Sequence, residues 1–378
     1  MTTIALYGLS LLLLSRFAAG DDPAEDAPAA AQPVPRIAVG AIRWDAWHGE
    51  ASSVGEVVEG TLGPKRYHNR LPFFAKVISD DQVEIRGDTQ EVMDREIAYA
   101  HEAGLDYWAF VTYPPDIPMS RGLELYLSST RKQDIHFCLN LQGGWESGGG
   151  MAAWPAKVER YVKYFADPCY QTVLGGRPLV YLYSVGDLVG KGRFADWSQA
   201  REAFDRLRQA TVEAGVPTPY FVVQDWSPDA AAEKMKLLGM DAIGAYAMAG
   251  GGNEAPFPKL AELVAAWWER CKATGAPVVP LAMAGWDRRP RIERPHPWEP
   301  WQKPGEGMDS YYQPPTPREL AAHVGEALRW VGANPNTAPA RAVLIYAWNE
   351  NDEGGWLVPT LYEGSARLDA LKEVLAGR

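Results

Sequence analysis

From Arg36 onward, short unbroken apolar runs alternate with stretches in which apolar residues recur every three or four positions. The unbroken runs predict strands at 37–44, 105–113, 135–142, 178–184, 220–225, 242–247, 278–284 and 342–348. Successive residues in them are apolar, as in strands of a parallel sheet covered on both faces. Helices are expected in between. Asp88-Thr89-Gln90-Glu91 reads as a capping box ahead of Met93, Ile97 and Ala100, with Gly104 as the stop. Thr316-Pro317-Arg318-Glu319 places a cap, a first-turn proline and a reciprocal glutamate before an apolar stripe of Leu320, Val324, Leu328 and Val331. Further helices are expected near 154–166, 197–214, 230–238, 258–274 and 365–376.

Eight strands, each followed by a helix, predict a single-domain (β/α)8 TIM barrel over residues 36–378. A doubly wound open sheet is the alternative. Against it, no G-x-G-x-x-G or Walker pattern follows the first strand. The runs Gly148–Gly150 and Gly250–Gly252 lack that fingerprint and read as loops. Long loops are expected after strand 1 (45–87) and strand 7 (285–315). The latter carries Trp286, Trp298, Trp301, Tyr311 and Tyr312. In such a barrel the loops after the strands build the active site.

Residues 4–15 form an apolar run too short to span a bilayer, followed by Arg16 and small residues. We read residues 1–19 as a signal peptide, although its start lacks a basic residue. Residues 20–35 read as a flexible Ala/Pro/acidic linker. The expected location is secreted or periplasmic, with no integral membrane segment after signal removal.

Composition narrows the chemistry. The 378 residues carry 37 Lys plus Arg against 48 Asp plus Glu, a formal charge of -11, and such a surface repels phosphate backbones. Nucleic acid is therefore not an expected partner, a carbohydrate is, and a monomer is expected. The 15 tryptophans suit stacking on sugar rings, although bulky core packing uses them equally well. Cys138, Cys169 and Cys271 lie far apart and read as buried small hydrophobes. The six histidines never approach H-x-x-x-H spacing, and no metal or cofactor is expected. His48 and His68 read as surface or hydrogen-bonding residues.

Polar and aromatic residues gather where the apolar strands end: Trp44-Asp45, Tyr113, Asn140 with Gln142, Ser184, Gln224-Asp225-Trp226, Tyr246, Trp286-Asp287 and Trp348-Asn349-Glu350. Glu350 and Glu353, just past the eighth strand, can face one pocket from one tight turn. Paired carboxylates are what glycoside cleavage needs, one protonated to release the leaving oxygen and one ionised as base or nucleophile. Two solvated loop acids are the alternative. Trp44, Trp226, Trp286 and Trp348 are candidate stacking walls, some of them core. Asp287 is a candidate for sugar hydroxyls, and Gln224 and Asp225 for substrate contact or support. Arg288, Arg289, Arg291 and Arg294 would meet an acidic sugar or pair with Glu293 and Glu299.

Asn349-Glu350-x-x-Glu353-Gly354 resembles the paired-glutamate motif of glycoside hydrolase family 99, the endo-α-mannosidases, and of the related O-antigen-biosynthesis group. Gly285-Trp286-Asp287, followed by Arg288-Arg289-Pro290, is similar to that group's G-W-D-x-x-P-R segment, and 93–113 resembles its second strand. The resemblance implies retaining endo-cleavage of an α-mannoside through a 1,2-anhydro sugar. Glu350 would take the proton of the 2-hydroxyl. Glu353 would protonate the departing oxygen and then activate water. Asn351 stands where the family commonly has Trp, so another α-glucan or a deoxy or sulfated sugar is an open alternative. So are a non-catalytic glycan-binding barrel and a polysaccharide-synthesis transferase. The transferase would need a phosphate-cradling loop, and no stretch of the sequence reads as one.

Overall fold

The computed structural model describes residues 36–48 and 53–378. The expected signal peptide and linker lie outside the described residues. Eight parallel strands follow one another around a nearly closed ring: β1 (Ala38–Arg43), β2 (Tyr107–Val111), β3 (His136–Gln142), β4 (Arg177–Tyr183), β5 (Tyr220–Gln224), β6 (Ala242–Gly244), β7 (Leu281–Met283) and β8 (Ala342–Tyr346). β8 returns to β1 in register, Ala38 opposite Ala342 and Ala41 opposite Ile345. Between β6 and β7 the ring is joined by single bonds: Ile243 N–H donates to Pro277 O (2.8 Å) and Val279 N–H to Ile243 O (2.9 Å). The (β/α)8 barrel is thus observed, and the open sheet is excluded.

Helices α1 (Gln90–Glu102), α2 (Arg121–Ser128), α3 (Gly150–Phe165), α4 (Trp197–Glu213), α5 (Pro228–Leu238), α6 (Phe257–Ala273), α7 (Pro317–Ala333) and α8 (Ala366–Leu375) follow the strands in turn. The apolar strands are buried on both faces because the helices cover the outside and the strands' own side chains fill the inside. Inside, Gly40 on β1 leaves room for the Tyr107 ring, which a Cβ there would meet at 2.3 Å, and the Tyr107 hydroxyl bonds that of Tyr181 at 2.7 Å.

The capping box at Thr316 forms in full, the hydroxyl receiving Glu319 N–H and the Glu319 carboxylate receiving Thr316 N–H. At α1 the cap falls one residue later than expected, on Thr89, whose hydroxyl receives Val92 N–H (3.3 Å). Helix α2 was not expected. It is short, and Gly122 within it lets Asp45 approach to where a Cβ would sit. The first long loop is not featureless: it holds a helix Ser53–Leu62, a 3-10 turn Lys65–Arg70 and a hairpin of Ala75–Ser79 with Gln82–Ile85. The three cysteines are buried and unpaired.

Candidate active site

The segment after β8 is anchored before it reaches its acids. Trp348 is fully buried, with its indole N–H on Glu96 (2.8 Å) and its backbone N–H on Ile42 O (2.7 Å). Asn349 Oδ1 receives the Trp44 N–H (2.8 Å). Asn349–Glu350 then pairs antiparallel with Gly355–Trp356 around a 3-10 turn, Asn351–Glu353. Across this turn the side chains of Glu350 and Glu353 come to one side, both reaching Arg291. Gly354 closes the turn at φ +83°, and a Cβ there would lie 2.5 Å from Asp287 N. That amide donates to Glu353 O at 2.7 Å, tying the β8 turn to the loop after β7.

Both glutamates are buried, with 3% and 8% of their surface exposed. Their carboxylate oxygens are all engaged. Glu350 receives the Tyr246 hydroxyl (2.7 Å) and Arg291 Nη2 (3.1 Å). Glu353 receives Arg291 Nη1 (2.5 Å) and the Tyr346 hydroxyl, and Arg288 Nε stands 3.0 Å away. Arg291 also donates through Nε to Asp352 (2.7 Å) and lies 5.2 Å over the Trp44 ring. The two acids therefore converge, but on a guanidinium from the seventh loop rather than on an open hollow. The same loop folds back over them: His296 lies 3.5 Å from Asp352, and Trp298 rests edge-on against Trp44 at 6.5 Å.

Burial, with the charge of Glu353, pushes Glu350 up to about 8, against the pull of Arg291. For Asp352 burial acts in the same upward direction, but Arg291 outweighs it and the carboxyl is held below the usual range. Burial holds His296 down at about 4, so its ring is neutral at pH 7. Burial raises Tyr246 and Tyr346 well above the ordinary phenol range, leaving both as hydrogen-bond donors to the acids.

An aromatic wall stands beside the acids. The Tyr246 ring lies 4.7 Å from Tyr183 and 5.7 Å from Tyr346, which in turn lies 5.8 Å from Trp286. Trp44 donates its indole N–H to the Tyr113 hydroxyl (2.7 Å). Trp44, Tyr113, Tyr246 and Trp286 are thus brought into the neighbourhood of the glutamates. Gln224 bonds Ala245 O at 3.3 Å and keeps its buried Oε1 without a partner.

Other expected binding residues are placed differently. Asp45 is buried against Arg43 (2.7 Å), Asp225 accepts from Lys234 (2.6 Å), and Asp287 is held by Arg70 and by Arg289 (2.7 Å). These carboxylates are committed to ion pairs and brace loops. Trp348 and Asn349 are fully enclosed with protein partners, so they anchor the segment and present no face to a ligand. Trp226 is exposed. Glu293 pairs with Arg66 and Tyr67, whereas Glu299 receives Arg288 and Arg291. His48, expected at the surface or hydrogen-bonded, is buried and bonded to Arg43 (2.7 Å) and Glu96 (2.9 Å). The expectation missed Tyr183 and Tyr346; for Arg288 and Arg291 it named the pairing with Glu299, which forms, but not their approach to Glu353. The position of Tyr183 and Tyr346 at strand ends was an available signal.

Among the described residues no group of His, Cys, Asp and Glu is arranged to hold a metal ion, and no helix is long and apolar enough to cross a membrane. Fold and site together define a (β/α)8 barrel with a buried glutamate pair beyond its eighth strand. No family model matches the chain, and no curated protein matches it. Among solved structures it is similar to the GH99 endo-alpha-mannosidase from Bacteroides thetaiotaomicron. One structure, in complex with bis-tris-propane, has a TM-score of 0.52 at 15% identity, and a second has 0.51 at 13%. Each comparison covers 89% of this chain and 95% of that chain. A glucosidase from Croceicoccus marinus follows with a TM-score of 0.42 at 12% identity, over 75% of this chain and 62% of that one. At these identities the likeness is one of fold.

Proposed function

We propose that this protein is an exported glycoside hydrolase acting on an α-linked, mannose-type or related saccharide, with Glu350 and Glu353 as its catalytic acids. The observation that carries this reading is the meeting of the two buried carboxyls on one guanidinium beside an aromatic wall, at the end of the barrel where such folds do their chemistry. The likeness to an endo-alpha-mannosidase fold and the Asn349-Glu350-x-x-Glu353-Gly354 motif support the substrate class.

Hydrolysis requires a proton for the departing oxygen and an acceptor on the other side of the reaction. Glu350, pushed up to about 8, holds its proton at neutral pH, whereas Glu353 receives hydrogen bonds from Arg291 and the Tyr346 hydroxyl and has the positive charge of Arg288 3.0 Å away. We therefore assign Glu350 the acid role and Glu353 that of acceptor for the 2-hydroxyl or water proton. This reverses the roles that the family resemblance implies. Because the seventh loop covers both acids, a sugar reaches them only when part of that loop moves aside. In Glu350→Gln and Glu353→Gln, release of reducing ends from α-mannan should fall by roughly 10²- to 10⁴-fold. Near wild-type release in both variants refutes the assignment.

The burial of both acids beneath Arg291 also favours a second reading, a glycan-binding barrel without turnover. It predicts that the wild-type protein retains oligosaccharide in calorimetry while releasing no reducing ends.

A further inference from the structure

Arg291 is the residue that the geometry singles out beyond the glutamates. Its guanidinium engages the three acids of the turn: Nη2 on Glu350 (3.1 Å), Nη1 on Glu353 (2.5 Å), and Nε (2.7 Å) with Nη2 (3.2 Å) on Asp352. Nη1 also stands 3.3 Å from Glu299. The planar fork fixes the angle between these contacts in a way that a lysine ammonium cannot. Arg291 arrives from Arg289–Glu293, a short helix in the loop after β7, and that loop is pinned on both sides of it. Asp287 is held by Arg70 and Arg289 upstream, and Arg294 reaches Asp81 (2.9 Å) downstream.

We propose that Arg291 is a positioning residue, one that orients the two glutamates and decides which of them carries the exchangeable proton. The proposal rests on the hydrolase reading, since it gives the pair a task. Without Arg291, three carboxyls would be buried together with Arg288, 3.0 Å from Glu353, as the one remaining cation described beside them, and protonation would have to relieve the repulsion at Glu350 and Asp352. With Arg291 present, Asp352 and Glu353 are matched by the guanidinium's Nε and Nη1, and Glu350 takes only the longer Nη2 contact, which it shares with Asp352. The groups facing Glu350 from every side support that division. Tyr246 comes from the loop after β6 and Tyr346 from β8, Tyr113 and Tyr183 lie beyond β2 and at the end of β4, and all are neutral phenols. Its charged neighbours are Arg291, Glu353 and Asp352. Around Arg291 itself stand Glu299, paired also with Arg288, and the neutral ring of His296.

The test is a carbon-13 carboxyl titration of the full-length protein labelled at glutamate, with Glu350→Gln used to assign the resonance. In the wild type the Glu350 carboxyl should titrate near 8. In Arg291→Ala it should move up by at least one pH unit, and millimolar guanidinium chloride should return it toward the wild-type position. In Arg291→Lys, which keeps the charge and loses the fork, the fold should persist while turnover of α-mannan drops at least tenfold with little change in KM. An unmoved Glu350 titration in a folded Arg291→Ala protein overturns the proposal. If that variant does not fold, wild-type turnover and titration in Arg291→Lys overturn it instead. Because the titration reads the acids directly, it decides the role of Arg291 even if no hydrolysis is found, an outcome that counts against the hydrolase reading alone.

Discussion

Tyr246 donates its hydroxyl to Glu350 across 2.7 Å, joining the loop after β6 to the segment after β8. The contact favours the ionised carboxyl, since a phenol gives its proton more strongly to a charged acceptor. In Tyr246→Phe, Glu350 should titrate higher still. Loss of a hydrogen bond to a charged group at the reacting centre should lower kcat by about 10- to 100-fold. Steady-state kinetics across pH 5–10 read both effects, and an unchanged alkaline limb would separate Tyr246 from the acid's titration.

The raised Glu350 also links stability to pH. Its ordinary value is 4.5 and its folded value about 8. Its contribution to stability is therefore complete below about 4.5 and is lost as pH rises toward and through 8, where the folded state must accept a disfavoured charge. Glu350→Gln has no such charge to accept. Thermal denaturation should show the variant close to wild type at pH 4 and more stable than wild type at pH 9. If Glu350 is the acid, wild-type activity should fall over the same alkaline range. Activity that rises there would restore the base role that the family resemblance implies.

Behind the site, Glu96 on α1 receives Arg43, His48 and the Trp348 indole, all in the buried interior. Burial alone would raise this carboxyl. Arg43 and His48 prevail and bring it to about 2. A depressed acid stabilises the fold above its unfolded value and loses that contribution as pH falls toward 2. Glu96→Gln leaves Arg43 short of a counter-charge, and breaking a buried pair in this way costs about 3–5 kcal/mol. Urea denaturation at pH 7 should register that loss, and the difference between variant and wild type should shrink as pH falls below 4.

At Gly354 the turn carries a positive φ where a Cβ would press on the Asp287 amide, the donor to Glu353 O. Gly354→Ala should therefore cost about 1–3 kcal/mol in backbone strain and push the two loops apart. Trp286 adjoins Asp287, so its fluorescence should change along with the melting temperature. A variant that melts and fluoresces like wild type would show that the turn tolerates the side chain.

All eight strands were legible in the sequence to within a few residues, because a strand covered on both faces must be apolar throughout and the chain marks it so. The Thr316–Glu319 box was legible for a similar reason: its donors and acceptors sit three residues apart. Helix α2 escaped, being only about two turns of pattern with a glycine at its second position. The hairpin escaped because its first strand is mostly exposed and the alternation of its second, with Val83 and Ile85 buried, spans only four residues.

The glutamate pair could be read from its spacing, but its setting could not. Arg291 looked like a partner for acids two and eight residues away, yet it reaches across about sixty residues to Glu350, Asp352 and Glu353 and keeps only Glu299 of the nearer two. Asp45, Asp225 and Asp287 stood at strand ends, where binding acids are expected; Asp45 and Asp225 were taken by the nearby Arg43 and Lys234, and Asp287 by Arg70 from the distant first loop. The primary structure alone settled the order of elements and the place of the paired carboxyls, since both are encoded in short-range periodicity and spacing. Which cation neutralises those carboxyls, which tyrosines donate to them and how far burial raises Glu350 were decided only by the folded chain. Charge and burial depend on neighbours in space, and the barrel assembles those neighbours from the ends of different strands.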